Sequence, residues 1–361
     1  MRVPYAGDTR GITHGEACDE FERLLAGYIG VRHCRVVSSG SMANMVAFDA
    51  LGLSPGDEVI TTALCFPTTV TPIVKAGCVP VFVDVTFPTL NVDVAQLESA
   101  LSSRTRAVVL AHFLGNPFDV AAVDAFCLKH GLYLIEDNCD ALGSTYRGKR
   151  TGGFGNLSTL SFYPAHHITT GEGGAVLCNN GHWAEEVTSL RDWGRDCTCP
   201  PGEEGVCGRR YRDGWDHKYL YRHLGYNAKM TEMQGRLGVD AMRHLDAIVA
   251  ARRENWAYLD ERVDGVKMRA TEGSEPSWFA FALSVPERLK VVNELNRRGI
   301  QTRFPFAGNI TRQPCMDGVA YRSLDLENTD RVMDETFFVG VHHSLTAEQR
   351  DYLAVNLAEV L

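Results

Sequence analysis

The stretch SFYPAHHITTGEGGAV, Ser161 to Val176, sets two adjacent histidines, His166 and His167, among small residues. An imidazole exchanges its proton near neutral pH, so either ring could act as a general base. Three further groups could do chemistry. SSGSMAN, Ser38 to Asn44, is a small-residue turn through Gly40 and Ser41 that leads into a helix. Unpaired N–H groups at a helix start attract phosphate, although an ordinary strand–helix turn has the same composition. LIEDNCDALG ends an apolar run on Asp137. A carboxylate there either caps a helix or meets a cation, and a protonated pyridine nitrogen would suit it. Ser161 could add a hydroxyl to the phosphate that Gly40 and Ser41 would hold. Finally, DCTCPPGEEGVC concentrates Cys197, Cys199 and Cys207, whereas the other eight of eleven cysteines are scattered. Scattered single cysteines usually pack as small hydrophobes. A cluster calls for a metal or a redox role.

These groups need elements to position them. ACDEFERLLAGYIG has helical periodicity, CRVVS reads as a strand, and GSMANMVAFDAL opens a helix directly after it. DEVITT, VPVFVDV, AVVLAHF and LYLIED are short, nearly continuous apolar runs separated by helical stretches, with two more strands expected over 159–162 and 175–178. Strands buried on both faces and alternating with helices predict a mostly parallel α/β sheet. Ligands of such sheets bind beyond the carboxyl ends of the strands, where the three candidate segments would converge. The long segment MTEMQGRLGVDAMRHLDAIVAARRENWAYLDERV predicts a helix leading out of this domain. A strand SWFAFALSV, a helix PERLKVVNELNRRG and a closing helix TAEQRDYLAVNLAEVL follow. The expected organisation is a large α/β domain over 1–245, carrying an irregular cysteine-rich insertion at 196–225, and a small α+β domain over 246–361.

Composition narrows the function. The chain has 361 residues, 45% hydrophobic and 22% charged, with a net charge of −9 and no long basic run. That balance fits a globular enzyme and argues against nucleic-acid binding, which needs clustered Lys and Arg. No apolar run is long enough for a membrane span, and MRVPYAGDTRG lacks a signal-peptide core, so a cytoplasmic address is expected. An odd number of cysteines without a signal peptide speaks against a disulfide framework.

In order, SSGSMAN, ALCFPTT, PVFVDV, IEDNCDALG, SFYPAHHITTGEGG and LGYNAKMTEMQGRLG resemble the sugar aminotransferase family of fold-type I pyridoxal-phosphate enzymes, called DegT/DnrJ/EryC1/StrS, over nearly the whole chain. The resemblance implies that Gly40, Ser41 and Ser161 hold the cofactor phosphate, Phe66 stacks on its ring and Asp137 pairs with its nitrogen. It implies that Asn227 reaches the phosphate of a neighbouring subunit in a homodimer with shared active sites. The family's lysine falls at His166, five residues after Ser161. Imidazole cannot bind the cofactor covalently as lysine does, so ordinary transamination should fail. His166 could instead take a proton from the C4′ carbon of noncovalently held pyridoxamine phosphate (PMP) condensed with a keto sugar, expelling a β-hydroxyl. His167 is its rival for that role and is expected to be structural.

Two kinds of lysine-less dehydratase fit this pattern. One regenerates PMP with glutamate and uses no iron. The other, the CDP-4-keto-6-deoxyglucose 3-dehydrase type, carries a 2Fe–2S cluster, and the spacing of Cys197, Cys199 and Cys207 resembles it. In that branch a fourth cysteine precedes by 57 intervening residues, which lands on Cys139. Four thiolates suit a 2Fe–2S centre, and structural zinc takes the same set. FPFAGNITRQP and LENTDRVMDETFFVGVHHSLT resemble the same branch, where Arg303, Asn309 and Arg312 would contact substrate or else form surface salt bridges. The N-terminal extension of that branch is not seen here, so parts of the substrate site are expected to differ. The expectation is therefore a PMP- and 2Fe–2S-dependent dehydratase of a keto sugar, with a nucleotide-linked 4-keto-6-deoxyhexose as the expected substrate. A separate NAD(P)H-dependent reductase would supply electrons, since no dinucleotide or flavin motif is evident. The alternatives are the iron-free, glutamate-recycled dehydratase and a non-catalytic binding protein.

Overall fold

The structure, a computed structural model, describes residues 12–361 apart from 198, 200–204, 206, 209, 210 and 213. It divides into two compact units, each drawn from two stretches of chain. One comprises Met1–Gly52 and Asn156–His244, the other Leu53–Gly155 and Leu245–Leu361.

In the first unit the helix Glu16–Ile29 leads to the strand His33–Val37 and the helix Gly40–Ala50. The strand pairs antiparallel with Gly174–Cys178, which pairs antiparallel with Leu157–Ser161. The expected strands at 159–162 and 175–178 are thus present, shifted by one or two residues. The helix Glu232–Met242 starts at a capping box in which Thr231 and Gln234 bond each other's backbone N–H. It packs so tightly against the first helix that a Cβ on Gly238 would lie 2.4 Å from the Phe21 ring. Phe21 in turn meets Phe162 at 5.0 Å between ring centroids, at the start of the histidine loop.

In the second unit five strands run parallel in the order Tyr133–Asp137, Thr105–Ala111, Glu58–Thr62, Val79–Val83 and Arg322–Ser323. Every residue of Glu58–Thr62 is buried, as a strand covered on both faces should be. A separate antiparallel sheet carries Val266–Lys267, Ala280–Ser284, Thr336–Gly340 and Thr302–Arg303. The closing helix Ala347–Val360 begins at a second capping box, Thr346 with Gln349. Among the described residues no helix is long and apolar enough to cross a membrane.

The single helix expected from Met230 to Val263 is two helices, Glu232–Met242 and Leu245–Arg262. At the break the N–H groups of Arg243 and His244 bond the carbonyls of Asp240 and Ala241, three residues back instead of four. That tightening ends the first helix. Periodicity alone gives no sign of it, because neither Gly nor Pro marks the spot.

Candidate active site

In the first unit, Ser39 caps the helix Gly40–Ala50 by accepting from the Met42 N–H at 3.1 Å. The N–H groups of Gly40 and Ser41 then open the helix, with no carbonyl ahead of them in the turn. Ser161 ends its strand directly opposite Gly174. A Cβ on Gly40 would lie 2.5 Å from Ser161 Cβ and 2.8 Å from its Oγ, and one on Gly174 would lie 2.5 Å from Ser39 O. Gly40 is therefore packed directly against Ser161, and the exposed Ser41 follows it at the helix start. Free N–H groups there and the helix dipole suit an anion such as a phosphate.

The histidine loop hangs between the strands Leu157–Ser161 and Gly174–Cys178 and is tied at both ends. Phe162 N–H bonds Gly173 O at 2.9 Å, and Thr170 N–H bonds Phe162 O at 3.1 Å. Gln234 holds Glu172 O at 2.7 Å from the neighbouring helix. Within the loop His166 N–H closes a turn on Tyr163 O at 2.9 Å. His167 is 1% exposed, while His166 remains half-buried. Asn227 is exposed and accepts from Lys229 Nζ at 2.9 Å. The Lys229 ammonium sits 3.2 Å from the centre of the Trp193 ring. Burial lowers its pKa to about 8 and the charges of Arg191 and Arg195 push the same way, against the attraction of Asp192. Sequence reasoning passed over Lys229. Its place two residues after Asn227 is the only signal it carries.

In the second unit Asp137 ends the strand Tyr133–Asp137 and is 6% exposed. Its carboxylate accepts from the Thr69 hydroxyl at 2.7 Å and from Cys139 N–H at 3.3 Å, which fixes its orientation. Thr69 lies in the first turn of the helix Pro67–Lys75, whose N-cap is Phe66. The Phe66 ring is 50% exposed and stands edge-on to Phe306 at 5.6 Å. An exposed aromatic face and a buried, oriented carboxylate are what a pyridinium ring would require on its face and at its nitrogen. Just before Asp137, the fully buried Glu136 accepts from the N–H groups of Gly152, Phe154 and Gly155 at 2.9, 2.7 and 2.6 Å, and lies 3.0 Å from His112 Nε2. It clamps the loop after the strand and so holds the strand end. Asn309 and Arg312 both bond Asp330, at 2.6 and 2.7 Å, and the Arg303 guanidinium bonds Thr302 O at 2.8 Å.

The cysteine-rich segment belongs to the first unit. Among its described residues, two short strands, Tyr211–Arg212 and Trp215–Asp216, pair antiparallel and lead into a turn over His217–Tyr219. Cys197, Cys199 and Cys207 gather around His217, and all four potential ligand atoms lie within 4.8 Å of one another. His217 did not figure in the sequence reading. Cys139 belongs to the second unit, two residues after Asp137.

The sequence pattern of the DegT/DnrJ/EryC1/StrS aminotransferase family matches residues 3–358. The chain belongs to that family. Within the family it is 44% identical to the lipopolysaccharide biosynthesis protein RfbH of Salmonella typhimurium, over 96% of this chain and 86% of that one. It is 45% identical to dTDP-4-dehydro-2,6-dideoxy-D-glucose 3-dehydratase of Saccharopolyspora spinosa, over 96% and 81% of the two chains. Among solved structures it is similar to GDP-4-keto-6-deoxymannose-3-dehydratase (ColD). A ColD variant with bound GDP-perosamine matches at 28% identity and a TM-score of 0.88, over 96% of this chain and 93% of that one. The same enzyme with a trapped PLP–glutamate geminal diamine matches with the same TM-score, 0.88, and the same coverage. The chain therefore has the fold-type I architecture of these pyridoxal-phosphate enzymes, and its relatives support a sugar-modifying role that uses this cofactor.

Proposed function

We propose that this protein dehydrates a nucleotide-linked keto sugar at C3, with PMP held noncovalently and His166 as the base. The observation that carries the proposal is the histidine loop. No lysine lies between Ser161 and Val176, His167 is buried, and His166 stays accessible on a loop fixed at both ends.

Gly40, Ser41 and Ser161 would hold the cofactor phosphate, Phe66 would cover the ring face, and the Asp137 carboxylate, aimed by Thr69, would keep the ring nitrogen protonated. The exposed Asn227 would reach the phosphate of a second subunit in a homodimer. When bound, the cofactor supplies an electron sink next to the sugar carbon. His166 would accept the proton released beside the cofactor and pass it to the departing C3 hydroxyl of the sugar. The net loss is one water. A ring nitrogen serves here because it releases its proton again near neutral pH.

Two routes from the dehydrated sugar separate the readings. Hydrolysis with glutamate restoring PMP is favoured by the ColD relative, one structure of which holds PLP joined to glutamate. Reduction, with single electrons relayed from a separate NAD(P)H-dependent reductase through a 2Fe–2S centre, is favoured by the thiols of Cys197, Cys199 and Cys207 gathered at one point. Turnover with glutamate alone, without any reductant, supports the first route and counts against the second.

The decisive experiment on the base is His166→Asn. It should abolish dehydration while PMP still binds, because the phosphate and ring contacts lie elsewhere. Near-normal turnover in His166→Asn together with loss in His167→Asn would overturn the assignment. Borohydride treatment with pyridoxal phosphate should leave no pyridoxyl-lysine in the active-site peptides, and finding one would restore an aminotransferase reading.

A further inference from the structure

Asn227 is an exposed side chain on a backbone that is tied down on both sides. Trp193 N–H bonds Tyr226 O at 2.7 Å, and Ala228 N–H bonds Arg191 O at 3.0 Å. From the other side Ser38 N–H bonds Ala228 O at 2.8 Å, and Lys229 lies opposite Val37. The segment is thus fastened to the strand His33–Val37, which leads into Ser39 and Gly40. What the backbone leaves open is the side chain. An exposed asparagine has roughly three staggered χ1 wells and two amide orientations. An amide that meets a phosphate must turn its NH2 group toward it, because the other end is an acceptor facing an anion.

Lys229 settles that choice. An ammonium has no acceptor, so the amide atom 2.9 Å from Nζ has to be the oxygen. With Oδ1 engaged, the NH2 group of Asn227 faces away from the lysine as a free donor. We infer that Lys229 is a positioning residue, which sets the Asn227 amide with its NH2 group outward, as the cofactor phosphate of a partner subunit requires. The inference rests on the role proposed above for Asn227 and adds the residue that makes this role possible. Lys229 itself acts through Asn227 and not on the phosphate.

The lysine is itself held in place. Its Nζ lies 3.2 Å from the centre of the Trp193 ring, and the Arg195 guanidinium lies 4.4 Å from the same centre. The face of an indole attracts cations. Trp193 adopts a left-handed backbone conformation, φ 65°, and the next residue has no room for a side chain, since a Cβ on Gly194 would lie 1.9 Å from His223 O. Such a backbone persists only where its surroundings over-determine it. The turn that presents the indole to Lys229 is therefore fixed by packing. The charges facing the ammonium are Arg191 and Arg195, which repel it, and Asp192, which attracts it. Together with burial they bring its pKa to about 8. Lys229 is charged at neutral pH and loses its proton in mildly alkaline solution. A neutral amine can accept as well as donate, so either end of the amide can then face it. The positioning is present below about pH 8 and fades above it.

The test reads binding rather than turnover. PMP is titrated into the full-length wild type, Lys229→Met, Asn227→Ala and the double variant, and its absorbance gives the dissociation constant. Methionine keeps the apolar stem but cannot hold the amide oxygen. With the side chain released among its arrangements, the productive one falls to about one in six, so Lys229→Met should bind PMP about three- to sixfold more weakly at pH 7. Asn227→Ala loses a bond to a charged group and should bind about tenfold more weakly or worse. Since Lys229 acts through Asn227, the double variant should match Asn227→Ala within about twofold. The gap between wild type and Lys229→Met should close as pH rises to about 9.5, where Lys229 has lost its charge. Pyridoxamine, which lacks the phosphate, should bind all four proteins alike, and gel filtration should show the same species for each. Unchanged PMP affinity in Lys229→Met overturns the inference. So does a double variant weakened by the product of the two single losses, which would put the ammonium on the phosphate itself. A gap that persists at pH 9.5, a parallel loss of pyridoxamine or an altered species on gel filtration overturns it as well. Each of these results leaves the reading of Asn227 standing. If Asn227→Ala binds PMP as tightly as the wild type, that reading falls and takes the inference with it.

Discussion

Replacing Gly40 by alanine would place a methyl group 2.5 Å from Ser161 Cβ and 2.8 Å from Ser161 Oγ. Carbon atoms in contact rest about 3.5–4.0 Å apart, so the overlap is about 1 Å or more. The third neighbour is Ser161 Cα at 3.2 Å, which is backbone and cannot swing aside as a long side chain can. The helix start and the strand end must therefore move apart. Overpacking of this kind costs about 1–3 kcal/mol of stability. It also shifts the first-turn N–H groups. Losing one hydrogen bond to a charged group costs about 1.5–3 kcal/mol, so the dissociation constant for PMP should rise about tenfold to a hundredfold. Denaturant melts and a PMP titration followed by the cofactor's absorbance measure the two effects separately. Gly27→Ala is the control, since nothing lies within 4 Å of a Cβ there and it sits inside the helix Glu16–Ile29. It should gain about 0.5–1 kcal/mol of stability and leave affinity unchanged. If Gly40→Ala binds PMP as tightly as the wild type, this helix start is not the phosphate site and the reasoning from the close approach of Gly40 to Ser161 fails.

Two other perturbations test the second unit. Thr69→Val removes the hydroxyl that bonds Asp137 at 2.7 Å, which should cost about 1.5–3 kcal/mol in urea melts of the cofactor-free protein. It should also raise the apparent pKa of the bound cofactor's ring nitrogen less than the wild type does, and an unchanged spectral titration would remove Thr69 from that role. Glu136 tests pH dependence. Burial pushes its pKa up, but the His112 ring and the N–H groups of Gly155 and Gly152 outweigh burial and hold it below the ordinary glutamate value. A carboxylate depressed in the folded state contributes stability above its unfolded pKa, about 4.3, and that contribution fades as pH falls through the folded value. Melts of the wild type should therefore weaken on acidification below about pH 4.5, and Glu136→Gln should be less stable at neutrality with a flatter acid limb. Parallel acid limbs in the two proteins would contradict this.

How much of this was legible in the sequence follows from the range of the forces involved. Four of the five parallel strands were readable because burial on both faces leaves largely apolar runs, as in VITT and VVLA, whereas the two-residue strand Arg322–Ser323 carries no such run. The proposed phosphate site at Gly40, Ser41 and Ser161 rests on local composition too, since a small-residue turn that opens a helix leaves backbone N–H groups free. The helix break at Arg243 and His244 was not readable, since both residues are acceptable inside a helix and the interruption shows only in which carbonyl each N–H reaches. Thr69 and Glu136 were also out of sight. A threonine in a helical stretch and a glutamate beside an aspartate look like solvent-facing polar residues until the fold buries them and supplies their partners.

The thiol cluster shows where reading by pattern stops. Cysteine spacing is a strong signal because free thiols seldom crowd together by chance, and Cys197, Cys199 and Cys207 were found by it. A donor set is nonetheless completed in space. A gap of 57 intervening residues before Cys197 picks out Cys139, whereas folding brings His217 to the three sulfurs from ten residues beyond Cys207. A lone histidine in DGWDHKYL has no feature that separates it from the chain's eleven others. What distinguishes it is the hairpin that turns the chain back at Trp215–Asp216 and the burial of a ring whose one nitrogen then has three sulfurs before it. Spacing along a chain is one-dimensional and proximity is three-dimensional, so the sequence could name the thiols but not the ring that folds against them.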